Sequence, residues 1–273
     1  MARDNAPLPH SASGPCPACG GVHAAESCPT ARGGRPAAPA GMALVADLVA
    51  ANRILAAQQV VDGFGHVSVR HDKDRSRFLL ARSMAPALVT VGDILEFDFD
   101  GNAVIANGPA VYLERFIHAE IYRRRDDVNA IVHSHSPAII PFAVTAVPLQ
   151  PLYHMSAFLG PGVPVFDIRA SAGETDMLIR NGALGAALAD ALADKPAALM
   201  RGHGSVAVGA TLPLAVFRAV YLEINARMQA EALRLGPVTF LSPREAALAA
   251  AVTDVQAPRA WELWKHQVAK GEF

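Results

Sequence analysis

The chain has 273 residues, 52% hydrophobic and 18% charged, a composition that builds a sizeable core and excludes a wholly disordered chain. Lys and Arg number 24 against 25 Asp and Glu, so a nucleic-acid protein driven by bulk charge is not expected. Apolar runs are broken by Asp, Arg or Asn before bilayer length, no basic segment leads into an apolar stretch at the N-terminus, and the cysteines at 16, 19 and 28 cannot staple the main body. A reducing, cytoplasmic setting with no membrane partner follows as the expectation.

Residues 1–40 are rich in Pro, Gly, Ala and Ser and lack apolar periodicity, which predicts a mostly disordered tail ahead of a catalytic domain over 41–273. Residues 42–61 carry Leu44, Val45, Leu48, Val49 and Leu55 at helical spacing, and Gly63-Phe64-Gly65 ends that helix. Residues 66–70 alternate as a strand, Asp72-Lys73-Asp74 turns, and residues 77–80 return as its partner. Residues 94–99 alternate again before a turn at Asp100-Gly101. A helix is predicted over 112–125, its last turn carrying Arg123, Arg124 and Arg125 against the negative end of the dipole. Residues 130–132 form a buried strand, and Pro137 starts a further helix. A strand over 163–168, a helix over 178–192, a strand over 197–200, a long helix over 213–235 and largely helical structure over 243–268 complete the chain. Helices therefore bracket a sheet with hairpin-connected early strands. The expected fold class is α/β, a layered sandwich with a mostly antiparallel sheet rather than a doubly wound one.

His133-Ser134-His135 follows a buried strand, and residues two apart in extended chain point to one face. Two imidazoles projecting together can chelate a metal ion, and a third makes the site stable. His203 is the candidate, lying between Gly202 and Gly204 after another apolar strand. Any one of these histidines alone reads as a surface residue; together they read as a metal site. Glu114, near a helix start, has two equal readings from spacing: a carboxylate placed by the helix dipole, or an acid/base beside the metal, with His118 one turn on.

Gly65-His66-Val67-Ser68-Val69-Arg70, Glu114 upstream of His133-Ser134-His135, and Arg201-Gly202-His203-Gly204 together resemble the class II aldolase/adducin family, over roughly residues 41–265. The resemblance implies that His133, His135 and His203 bind a catalytic divalent metal, with Glu114 as acid/base or fourth ligand. It also implies a three-layer αβα sandwich with a mostly antiparallel central sheet, assembled as a homotetramer with sites between subunits. Sugar-phosphate aldolases of the family carry an Asn where this chain has His66. They place small hydroxyl residues where it has Tyr112 and Leu113, and a Thr/Ser-Gly pair where it has Arg82-Ser83-Met84-Ala85. The phosphate cradle is thus not expected, and the Tyr112-to-His118 run resembles the decarboxylase branch, which includes hydroxymethylpyridine-dicarboxylate and dihydroxyphthalate decarboxylases.

That resemblance implies a metal-dependent lyase acting on a small molecule, most simply non-oxidative decarboxylation of an ortho-hydroxylated aromatic or heteroaromatic acid in aromatic-compound catabolism. Mn²⁺ is the favoured ion, with Zn²⁺, Co²⁺ or Fe²⁺ tolerated by three histidines. His66, Tyr153 and His154 are candidate catalytic groups, Tyr153 and His154 falling where family members reach a neighbouring subunit's site. Arg82, Ser83 and Tyr112 are candidate substrate contacts, Arg82 as a bidentate partner for a second carboxylate. The rivals are an aldolase or dehydratase acting on a carbonyl compound, an Fe(II)/O₂ oxidative decarboxylase, and a non-catalytic module like the adducin head. Separately, Cys16, Cys19, His23 and Cys28 offer a candidate zinc knuckle outside the catalytic region.

Overall fold

The computed structural model describes residues 38–105 and 108–272, so the Cys16, Cys19, His23 and Cys28 cluster lies outside the described residues. Helix α1 (Met42–Ala57) presents Leu48, Ala51, Ile54 and Leu55 on one buried face. Strands β1 (His66–Arg70), β2 (Arg77–Ala81) and β3 (Ile94–Asp98) follow as an antiparallel meander. Helix α2 (Arg115–Arg124) leads to β4 (Ala130–Ser134), which pairs antiparallel with β1. After α3 (Ile140–Val144) come β5 (Val165–Phe166), α4 (Arg169–Ala172) and α5 (Gly182–Leu192). The hairpin of β6 (Ala197–Met200) and β7 (Gly204–Gly209) is followed by α6 (Leu212–Leu235), α7 (Pro243–Thr253) and α8 (Ala257–Lys270).

The seven strands lie in the order β3-β2-β1-β4-β7-β6-β5, and only β5 and β6 pair in parallel. Alternation along the strands divides the apolar residues between two faces. Val67, Val69, Ala130, Val132 and Leu199 pack on one core with α1, α6 and α8, anchored by Phe217, Trp261 and Trp264. Phe78, Leu80, Ile131, Met200 and Val206 pack on the other with α2 and α5, around Tyr122 and Leu188. This is the expected αβα sandwich with a mostly antiparallel sheet. Among the described residues no helix is long and apolar enough to cross a membrane.

Several local expectations are corrected. Beyond the predicted alternation of residues 66–70, His66, Ser68 and Arg70 are all buried, with His66 and Ser68 bonded to His118 and Arg70 to the Tyr122 carbonyl of α2. Arg70 caps the end of α2, donating to the carbonyls of Tyr122 and Arg125 at 3.0 and 2.9 Å. Helix α2 starts at Arg115, three residues later than predicted, with Tyr112 and Glu114 turned to other partners. Helix α5 starts at Gly182, because the Asn181 side chain accepts from the Leu184 N–H at 3.0 Å. Strand β5 has two residues, since Pro164 brings no N–H to the ladder. Strand β7 was not anticipated; all six of its residues are buried.

The segment before α4 is clamped to α6 by two buried amides. Asn225 donates to the Gln150 carbonyl at 2.8 Å and accepts from the Leu152 N–H at 2.9 Å. Gln229 donates to the Pro148 carbonyl and accepts from the Gln150 N–H. These bonds fix the stretch carrying Tyr153 and His154.

Candidate metal centre

Strands β4 and β7 lie side by side, with Ser134 opposite Ser205. His133 is the penultimate residue of β4, His135 lies just past the strand's end, and His203 sits in the turn just before β7. Gly65 and Gly204 let the surrounding backbone close in. Gly65 has φ +90, and a side chain there would press on Val61 and the His133 carbonyl. At Gly204 a Cβ would overlap the Ser134 carbonyl.

The three rings converge through their Nε2 atoms. His135 Nε2 lies 3.1 Å from His133 Nε2 and 3.1 Å from His203 Nε2. Glu114 Oε2 stands 3.6 Å from His133 Nε2 and 3.3 Å from His203 Nε2. All four ligand atoms fall within 4.8 Å of one another. Nitrogen and oxygen ligands about 2.1 Å from a tetrahedral ion stand about 3.4 Å apart, so the cluster has the dimensions of a first coordination shell.

The second nitrogens support that fit. His133 Nδ1 donates to the Ser205 carbonyl at 3.0 Å, and His203 Nδ1 to the Met177 carbonyl at 2.9 Å. A carbonyl only accepts, so both rings carry hydrogen on Nδ1 and turn an Nε2 lone pair inward. Met177 holds φ +69, a backbone rare outside glycine, to aim that carbonyl. Glu114 Oε1 accepts from the Ile179 N–H at 2.9 Å, which leaves Oε2 for the histidines. Burial pushes the Glu114 carboxyl up; when the His133 and His203 rings are protonated on Nε2 as well, their hydrogen bonds hold it well below the usual range, and a bound cation would take their place when the lone pairs face inward. Burial first, then His133 and His203, lowers His135 to about 4, so its ring is a neutral donor of electrons to a cation.

A cavity of about 320 Å³ opens beside the cluster, lined by Phe64, His66, Tyr112, Leu113, Glu114 and Leu178 among others. Ser83 also lines it. His66 packs between Tyr112 and His133 with the rings tilted 42°, at 4.6 and 5.0 Å between ring centres. Tyr112 donates its hydroxyl to the Met84 carbonyl at 2.5 Å, so the ring rather than the O–H faces the cavity chemistry.

Other sequence candidates lie elsewhere. Arg82 does not line this cavity; its Nε donates to Asp93 at 2.6 Å, and bonds from Thr90 and then Arg82 hold Asp93 at about 2. Tyr153 and His154 meet edge-to-face, 5.9 Å between ring centres, and His154 lines a separate cavity with Phe217 and Tyr221. Within one chain they do not reach the cluster's cavity. Conversely, the structure places Ser68, His118 and Tyr122 behind His66 in a buried hydrogen-bond chain. Alternation in β1 puts Ser68 on the face of His66, and His118 and Tyr122 repeat at helical spacing after Glu114; the sequence held that signal. The Met177 and Ile179 main-chain contacts had none.

Residues 46–230 match the family model described as Class II Aldolase and Adducin N-terminal domain. The chain belongs to the class II aldolase/adducin family. Within the family it is 38% identical over 242 residues to Decarboxylase tropJ of Talaromyces stipitatus, covering 80% of this chain and 91% of the relative. It is 30% identical to a 3,4-dihydroxyphthalate decarboxylase of a Terrabacter species, covering 83% and 95%. The fold is similar to the solved L-fuculose 1-phosphate aldolase of Glaciozyma antarctica, with a TM-score of 0.70, 25% identity, and 86% and 96% coverage. These relatives and the His/Glu cluster support an enzyme of the lyase class.

Proposed function

We propose that the protein is a divalent-metal-dependent decarboxylase of an ortho-hydroxylated aromatic or heteroaromatic acid, working without an oxidant. The observation that carries this reading is the cavity beside the His133, His135 and His203 cluster. Its walls are rings and aliphatic groups from Phe64, Tyr112, Leu113 and Leu178, and Leu113 offers no donor where a phosphate would need one. The first relatives named above are decarboxylases, in keeping with it.

In this reading His133, His135 and His203 hold the ion, with Glu114 beside it. A bound divalent metal would supply the positive charge that steadies the electron pair left on carbon. Glu114, held as a carboxylate, takes the phenol proton at Oε2 and returns it to the ring carbon as carbon dioxide leaves with the other end of the broken C–C bond. Solvent restores the phenol proton on product release. His66 meets a substrate oxygen through its outward ring nitrogen, Tyr112 stacks the ring, and Ser83 contacts the substrate rim. Arg82, tied to Asp93, is not free to clamp a second carboxylate, so the one on the reacting ring carbon is the group the site recognises. Mn²⁺ is the favoured ion, and a cytoplasmic homotetramer, with Tyr153 and His154 serving a neighbouring site, belongs to the same reading.

The test is turnover under strict anaerobiosis by Mn²⁺-loaded protein, on hydroxylated benzoic and pyridine acids and on ketose phosphates. Carbon dioxide release without oxygen supports the reading. Oxygen-dependent release, or aldehyde from a ketose phosphate alone, would replace it with an oxidative or an aldol activity.

A further inference from the structure

Behind the cavity wall runs a chain of hydrogen bonds with only one satisfied direction. His66 Nδ1 and His118 Nε2 are 2.6 Å apart, His118 Nδ1 and Ser68 Oγ 2.6 Å, and Ser68 Oγ and the Tyr122 hydroxyl 2.8 Å. Ser68, His118 and Tyr122 are fully buried, and His66 is 4% exposed. The links come from two elements packed face to face, β1 and α2.

Protons in this chain can run end to end in two senses; a mixed order, in which Tyr122 and His118 Nδ1–H both donate to Ser68, leaves the buried Ser68 proton with no acceptor among the described residues. In one, Tyr122 donates to Ser68, Ser68 to His118 Nδ1, and His118 Nε2–H to His66 Nδ1. Every donor within the chain then has an acceptor, and the remaining His66 Nε2–H is left to the cavity that His66 lines. In the other, His66 Nδ1–H donates to His118, His118 to Ser68, and Ser68 to Tyr122. The Tyr122 proton then has nowhere to go, because Ser68 Oγ is its only hydrogen-bond partner among the described residues. A buried donor without a partner is strongly disfavoured. The neighbouring Arg70 cannot relieve it: its guanidinium lies 4.8 Å from the centre of the Tyr122 ring and is itself donor-only.

We infer that Tyr122, Ser68 and His118 are positioning residues that fix His66 as the Nε2–H tautomer, so that the cavity wall carries a permanent N–H donor. The donor would meet the substrate oxygen on which negative charge grows, where a preoriented N–H is worth most. The functional part of this inference rests on the decarboxylase reading; the tautomer does not. The chain orients rather than conducts. Passing its proton outward would leave a phenolate at Tyr122, and burial pushes that hydroxyl well above its ordinary range.

The experiment is long-range ¹H–¹⁵N spectroscopy of zinc-loaded protein with ¹⁵N-labelled histidine, the His66 signals being assigned through H66Q. The parent protein should show hydrogen on His66 Nε2 and a bare Nδ1. S68A should populate both tautomers. H118L should lower kcat by about tenfold or more with metal content unchanged, and H118Q, which keeps an N–H near the Nε2 position, should recover most of it. Hydrogen on His66 Nδ1 in the parent, or an unaltered single tautomer in S68A, would overturn the inference. If no aromatic acid is decarboxylated and the Nε2–H tautomer is observed, the substrate reading falls and the tautomer assignment stands.

Discussion

Gly204 lies so close to Ser134 that any side chain at 204 would overlap the Ser134 carbonyl. That contact locks the start of β7 against the end of β4, and it thereby sets how far His203 stands from His133 and His135. G204A should therefore act on both stability and metal binding. A loss of about 2 kcal/mol or more in urea unfolding is expected, together with weaker metal affinity by calorimetry. Parent-like affinity would show that the turn tolerates the shift.

Removing a ring should remove the ion. H133A, H135A and H203A are each expected to lower bound metal after dialysis to a small fraction of the parent content, and turnover with it. Elemental analysis of the three variants checks this. Full occupancy in any of them would exclude that residue from the ligand set.

The Glu114 carboxylate accepts from the Ile179 N–H with one oxygen and faces His133 and His203 with the other. E114Q keeps the shape and one acceptor. It should retain the fold and lose about a hundredfold in kcat. Circular dichroism and steady-state kinetics separate the two effects, and an unchanged kcat would remove Glu114 from the chemistry.

Acid should destabilise the fold through His118. Burial first, and then the nearby His133, lowers its pKa from 6.5 to about 3. The unfolded chain therefore binds a proton at this residue below about 6.5 that the folded chain refuses until about 3, so stability falls as pH drops through that window. Urea midpoints at a series of pH values should decline below about 6.5, and the decline should be shallower in H118Q. Equal slopes would show that other groups govern acid unfolding.

The sequence carried the layer architecture and the three histidines for local reasons. His133 and His135 share a face because a strand repeats every two residues, and His203 was marked by its flanking glycines. Strand β7 is hidden in the sequence because glycines stand at both its ends, where they admit the backbone of Ser134 beside Gly204 and of Ala215 beside Gly209. Arg82 reads as a substrate clamp because Arg82-Ser83-Met84-Ala85 stands where sugar-phosphate aldolases carry a Thr/Ser-Gly pair, and Ser83 and Met84 do line the cavity. Its partner Asp93 sits eleven residues on and is brought close only by the turn before β3. The burial of His66, Ser68 and Arg70 escaped notice because a polar alternate usually faces water. Here helix α2 covers it, and only the packed structure shows that.

The most direct test compares a 2-hydroxylated aromatic acid with its analogue lacking that hydroxyl, on metal-loaded protein, with carbon dioxide as the readout. Rapid release is expected from the hydroxy acid and at least about a hundredfold less from the analogue, because the chelating oxygen is gone. Equal rates on the two acids, or faster cleavage of a ketose phosphate than of either, would contradict it.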